Sequence, residues 1–128
     1  MPKDTKNFKV SEFTCHCGCG KNEIQQPVLN MCQKIRDELG QPVKINSGYR
    51  CPAHNAKVSK AKASRHTMGK AADLSSASGS LSILLAVHKL FLDGKLPELG
   101  YCIFYPNKNF VHVDLDVRPS GKVFEVSL

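Results

Sequence analysis

The run F-V-H-V-D-L-D-V, residues 110–117, constrains the fold more than any other part of the chain. Under the two-residue period of a β-strand, Val111, Val113, Leu115 and Val117 share one face. His112, Asp114 and Asp116 share the other. Four apolar side chains pin the first face to a core, so the opposite face presents a histidine and two aspartates. Two more strand-like runs flank it, L-G-Y-C-I-F-Y and K-V-F-E-V-S-L, with turns at Pro106-Asn107 and Pro119-Ser120-Gly121. This half of the chain predicts an antiparallel meander.

The first half is helical in pattern. From Ile24 to Leu39 the apolar positions Val28, Cys32, Ile35 and Leu39, joined by Leu29 and Met31, follow helical spacing, and Gly40 ends the run. Val43 and Ile45 alternate with polar neighbours in P-V-K-I-N-S, a strand. The turn S-G-Y-R-C-P follows, then a short helix from Pro52 to about Val58. Residues 59–70 have little apolar content and read as a loop, and A-A-D-L as a strand. The run S-S-A-S-G-S caps a helix at 80–93 whose apolar side is read as Leu81, Leu84, Leu85, His88 and Leu92, with His88 a core histidine. Phe8, Val10 and Phe13 form a short apolar lead-in. Helices precede and interrupt the sheet, so the class is α+β, a single domain over 1–128 with a small antiparallel sheet and helices packed on one side.

Composition bounds the partners. No apolar run reaches the roughly 18 residues of a membrane span. The charged start M-P-K-D-T-K-N-F-K-V has no apolar stretch after it, so no signal peptide is read. The net charge is +7, with Lys57, Lys60, Lys62, Arg65 and Lys70 gathered in one region. Such a balance suits solubility or an anionic partner. Nucleic acid is disfavoured, because no aromatic-basic ribonucleoprotein motif, no Trp and no zinc-finger spacing is present.

Six cysteines are many for 128 residues, and three stand in C-H-C-G-C-G. Their spacing is not the C-x-x-C of zinc ribbons. A disulfide to Cys51, or buried thiols, is preferred here to a structural metal knuckle of Cys15, Cys17 or Cys19. Cys32 and Cys102 sit in apolar patterns as core thiols. His16 belongs to the cysteine turn and reads as exposed; His54 orders its own turn by hydrogen bonding.

The second chemical feature is S-R-H-T-M-G-K-A-A-D, residues 64–73. A histidine and an aspartate seven residues apart fit neither one helix face nor one side of a short strand. They can meet at one metal if Gly69 lets the chain turn between them, with Ala71 and Ala72 leaving the approach clear. His112 then arrives from the strand as a third ligand. Hydrolytic zinc takes three such protein ligands and keeps a fourth position open. Two neutral imidazoles and one carboxylate leave the ion net positive, able to polarise a carbonyl and acidify water.

S-x-H-x-x-G-x-A-x-D at 64–73 resembles the motif of the zinc D-Ala-D-Ala carboxypeptidase family of bacterial and phage wall peptidases. F-V-H-V-D at 110–114 is similar to its second ligand motif, S-G-Y-R-C-P-x-H-N at 47–55 to its substrate-side segment, and S-E-F-T-C to its opening. The fold resembles that of the hedgehog signalling domain. The resemblance implies a zinc metallopeptidase with one zinc per chain on the open sheet face, held by His66, Asp73 and His112. It implies hydrolysis next to D-amino acids in peptidoglycan stem peptides, by carboxypeptidase or endopeptidase action. Arg50 then recognises a substrate carboxylate or carbonyl, which suits its planar fork, and Ser64 assists substrate binding, while Ser47 forms a turn. Partners follow as peptidoglycan peptides and anionic wall polymers, met by a monomer after cell lysis or non-standard export.

The chain departs from the family at two places. Where many relatives carry an acidic base three residues before the last ligand stands Asn109, and where others carry histidine stands Phe110. Asp114 is the remaining nearby carboxylate, read as the general base in preference to a residue orienting a ligand. The stretch Ser59-Lys60-Ala61-Lys62-Ala63 lacks the glycines common there, which alters the rim of the cleft. Two other readings stand beside the enzyme: a zinc-site wall-binding module without catalysis, and a metal-stabilised nucleic-acid binder built on the cysteine turn.

Overall fold

The computed structural model describes residues 1–59 and 64–128. Among them three α-helices and five strands run in the order α1 (Gln26–Leu39), β1 (Lys44–Ser47), α2 (Pro52–Val58), β2 (Ala71–Ser75), α3 (Ser80–Leu92), β3 (Tyr101–Phe104), β4 (Val111–Asp114) and β5 (Phe124–Val126). Short 3₁₀ turns occupy Val10–Phe13 and Arg65–Met68. The second turn shows that the stretch read as a plain loop is partly ordered by backbone hydrogen bonds. Its Lys60–Ala63 portion lies outside the described residues. None of the helices described is long and apolar enough to cross a membrane.

The strands form one sheet in the order β1-β2-β4-β3-β5. All neighbours are antiparallel except β3 and β5, which run parallel with Cys102 opposite Phe124. The sheet is therefore mixed, and the last three strands are a hairpin plus a returning edge rather than a meander. After β4 the chain turns back on itself, and Val123 accepts a bond from Cys102 N–H on the far side of β3.

Alternation sorts each central strand into two faces. Ala72 and Leu74 of β2, Cys102 of β3, and Val111 and Val113 of β4 enter the core with Val28, Leu29, Met31, Cys32 and Ile35 of α1 and Ile83, Val87 and Leu90 of α3. Phe8 and Phe13 are buried there too, so the lead-in is part of the fold. Asp73 and His112, on the opposite face, stand directly across from each other, as do Ala71 and Asp114.

Two expectations about faces need correcting. In α3 the buried side is Ile83, Ala86, Val87 and Leu90, whereas Leu81, Leu85 and Leu92 are exposed. The helix is apolar nearly all round, so spacing alone admits either stripe and packing decides. His88 is accordingly exposed, with its ring edge-on to Phe124 at 5.2 Å. In the 110–117 run the strand stops at Asp114, and Val117 is 77% exposed. The N–H of Asp116 donates to Asp114 Oδ1, bending the chain out of the sheet.

Candidate metal centre and cleft

The turn carrying the first histidine is built by two glycines. Gly69 ends the Arg65–Met68 turn with φ +70°, and a Cβ there would lie 1.9 Å from the Glu23 carbonyl oxygen. The Gly69 carbonyl in turn accepts from Gln25 N–H at 2.9 Å, tying the turn to the start of α1. Gly48, just after β1, passes Phe13 so closely that a Cβ would sit 2.7 Å from its Cα. That approach leaves the Gly48 carbonyl 2.7 Å from His66 Nδ1. Ser64 caps the turn by accepting from His66 N–H at 3.2 Å. Its oxygen thus serves to seat His66, although the residue also lines the cleft.

His66, Asp73 and His112 converge, each offering one donor atom within 4.8 Å of the others. His66 Nε2 lies 3.3 Å and His112 Nδ1 lies 3.1 Å from the same carboxylate oxygen, Asp73 Oδ1. Donors around one zinc, with bonds of about 2.0–2.2 Å, stand roughly 3.3–3.5 Å apart. The other nitrogen of each ring is already engaged. His66 Nδ1 donates to Gly48 O, and His112 Nε2 donates to Asp114 Oδ2 at 2.7 Å. Each ring is thereby fixed with its other nitrogen aimed at Asp73, the anchoring found for metal-binding histidines. The residues fit a three-ligand metal site.

Electrostatics accord with this geometry. Burial alone would raise the Asp73 carboxyl, but hydrogen bonds from His112 and His66 outweigh it and hold the group well below the usual carboxylate range. Burial would lower His112, yet its bonds to Asp114 and Asp73 push it up to about 9. For Asp114, burial is likewise outweighed by His112 and Arg118, and its pKa falls. Without a metal the centre is an imidazolium held between two carboxylates.

Asp114 does not face the cleft. Its side chain is 0% exposed and receives four bonds: from His112 Nε2 (2.7 Å), Arg118 Nη2 (2.8 Å), Arg118 Nη1 (3.1 Å) and Asp116 N–H (3.0 Å). A base needs a free lone pair within reach of the reacting proton; this carboxylate is spent behind His112, and the geometry opposes that expectation. Asp116 leaves the row altogether, pairing with Arg65 and Lys70 at 3.3 Å each.

A cleft of about 300 Å³ opens on the three donors. Arg50, Arg65, Lys108 and Arg118 supply positive charge around it, and Ile103, Tyr105 and Phe110 supply apolar surface. Among the described lining residues Asp73 is the only carboxylate. Arg50 Nε is buried with no hydrogen-bond partner among the described residues, so the guanidinium retains an unused donor beside the centre. Asn109 and His54 do not line the cleft, and Lys60 and Lys62 lie outside the described residues.

Tyr105, Lys108 and Arg118 escaped the reading of the sequence. A signal for Tyr105 existed: in Y-C-I-F-Y the two-residue period puts Tyr101, Ile103 and Tyr105 on the face opposite Cys102, and Ile103 pairs with His112. Lys108 and Arg118 stand on turns, where no period applies.

A family profile described as Peptidase M15 matches residues 6–114, which include all three donors. The chain belongs to the peptidase M15 family. This is a family of zinc-dependent peptidases, and the matched span is therefore a metallopeptidase domain. A search of curated proteins finds no match.

Proposed function

We propose that this M15 domain is a zinc-dependent hydrolase of peptide bonds next to D-amino acids in the stem peptides of peptidoglycan. The observation that carries the reading is the pair of rings anchored at their far nitrogens, both turned onto Asp73 at the floor of a cationic cleft. His66, Asp73 and His112 would hold the ion, which when bound polarises the scissile carbonyl and acidifies water.

The chain's own residues do the rest. Arg50, whose Nε has no partner among the described residues, meets a substrate carboxylate or carbonyl oxygen. Burial raises the Tyr105 phenol, so it stays protonated and can donate a hydrogen bond to charge developing on the reacting oxygen. Asp114 is a positioning residue, fixing the His112 ring. Ile103 and Phe110 exclude water from one wall.

The wall-binding module is the second reading, favoured by the lack of any described carboxylate in the cleft besides Asp73. Digestion of purified peptidoglycan by the zinc-loaded protein, read by mass spectrometry, separates the two. New stem-peptide termini are expected; intact walls that retain bound protein would establish the module instead.

A further inference from the structure

The cysteine turn makes a second centre. Cys15, Cys17 and Cys19 do not pair into a disulfide with Cys51; all four are free thiols, and their Sγ atoms lie within 4.8 Å of one another. Cys15 Sγ is 3.4 Å from Cys17 Sγ, and Cys17 Sγ is 3.6 Å from Cys51 Sγ. A disulfide requires about 2.05 Å. Four thiolates at about 2.3 Å from one tetrahedral zinc stand about 3.8 Å apart, close to the spacing seen.

The surroundings suit thiolates rather than a packed core. Backbone N–H groups point at three of the sulfurs: Cys51 N–H at Cys15 Sγ (3.3 Å), Lys21 N–H at Cys19 Sγ (3.4 Å) and His54 N–H at Cys51 Sγ (3.4 Å). Such donors favour the charged sulfur that a metal requires. Cys17 and Cys19 are exposed, so half of the cluster gains nothing from apolar burial. Gly18 and Gly20 take φ of +88° and +75°, letting three alternate cysteines curl around one point instead of lining one side of a strand.

We propose that Cys15, Cys17, Cys19 and Cys51 bind a second, structural zinc ion in a closed four-thiolate site, independent of the cleft. The site joins the lead-in to the residue that follows Arg50 and caps α2. It thus clips together segments 36 residues apart, where the apolar cluster among the described residues is small: Cys15, Tyr49 and Cys51. Closure of the fourth position distinguishes it from a hydrolytic centre.

The test is metal content and cobalt spectroscopy on the full chain purified with reductant. Wild type is expected to carry two zinc ions per chain. His66→Ala/His112→Ala should keep one, and its cobalt-substituted form should show intense thiolate-to-metal charge-transfer absorption. Cys17→Ser/Cys19→Ser, altering only exposed positions, should lose that absorption and one zinc while keeping the other. Should the cysteine variant fail to fold, the cobalt spectrum of wild type still decides. Absence of thiolate charge transfer there, or an intact mass showing disulfides among these four residues, would overturn the proposal. Loss of the cleft ion alone would leave this site standing, and the reverse also holds.

Discussion

His112 Nε2 lies 2.7 Å from Asp114 Oδ2, on the side of the ring away from Asp73. The bond aims the other nitrogen at Asp73, and Arg118, at the cleft wall, grips the same Asp114 carboxylate. If Asp114 acts through His112, Asp114→Asn should weaken zinc affinity by about 10–100-fold. A general base would behave differently, lowering turnover by about 10²–10⁴-fold with affinity intact. Zinc titration alongside kcat at saturating metal distinguishes them. Asp114→Ala should also lower folding stability by about 3–5 kcal/mol in denaturant titrations, because it removes the buried counter-charge of Arg118 and leaves His112 with Asp73 alone.

The pH dependence of metal binding follows from the same cluster. Below about 9 the metal-free His112 keeps a proton that zinc must displace. Affinity should therefore rise about tenfold per pH unit through neutrality and level off above pH 9, with close to one proton released per ion. Calorimetry in buffers of different ionisation enthalpy counts that proton.

Stability of the metal-free fold should run the opposite way on the alkaline side. A folded pKa raised from 6.5 to about 9 gives His112 a stabilising contribution that is complete below 6.5 and lost as pH climbs through 9. Asp73 and Asp114 are depressed, so their contribution is present above their ordinary value of 3.8 and fades as pH falls. Thermal melts of metal-free protein should peak between those bounds.

Much of this arrangement is legible in the sequence. The 64–73 motif and His112 located the three groups that converge at the cleft, because a turn at glycine and a two-residue strand period are local rules. The helix bounds held for α1 and α2 for the same reason. Three matters were not local. The stripe of α3 that is buried depends on what packs against it. The parallel placement of β5 depends on where the chain goes after Asp116. The fate of Asp114 depends on Arg118, four residues on, where the chain has already left the strand. Strand alternation put Asp114 on the polar face correctly, but could not show that a guanidinium closes over it. The cysteines were legible in part: Cys51 does meet the cysteine turn and Cys15 and Cys51 are buried thiols, whereas Cys17 and Cys19 are exposed and no disulfide forms among the four.

Gly69→Ala should disrupt the site through the backbone. Its φ of +70° disfavours any side chain, and the new methyl would collide with the Glu23 carbonyl at 1.9 Å. Positive-φ strain alone is on the order of 1–3 kcal/mol. The added clash must displace either the turn holding His66 or the entry to α1. A fall in melting temperature together with loss of cleft zinc is expected. Unchanged zinc content would show that the turn does not hold His66 in place.

Arg50 provides the sharpest test of how substrate is held. Its buried Nε has no partner among the described residues, and burial lowers its pKa, partly offset by Asp73. An unpaired buried donor is unfavourable until something accepts from it, so the free protein stores a preference for an anionic or carbonyl oxygen at that spot. A bond to a charged group contributes about 1.5–3 kcal/mol. Arg50→Ala should then lower kcat/KM by about 10–100-fold on a stem peptide ending in a free carboxylate, with zinc content unchanged. Arg50→Lys should recover only part of that loss, since an ammonium keeps the charge but not the fork. If amidating the peptide's C-terminus costs wild type the same factor, and costs Arg50→Ala nothing further, the two groups meet directly. If amidation leaves wild type unaffected while Arg50→Ala remains impaired, Arg50 engages the scissile carbonyl, and the cleft is built for cutting within a chain rather than at its end.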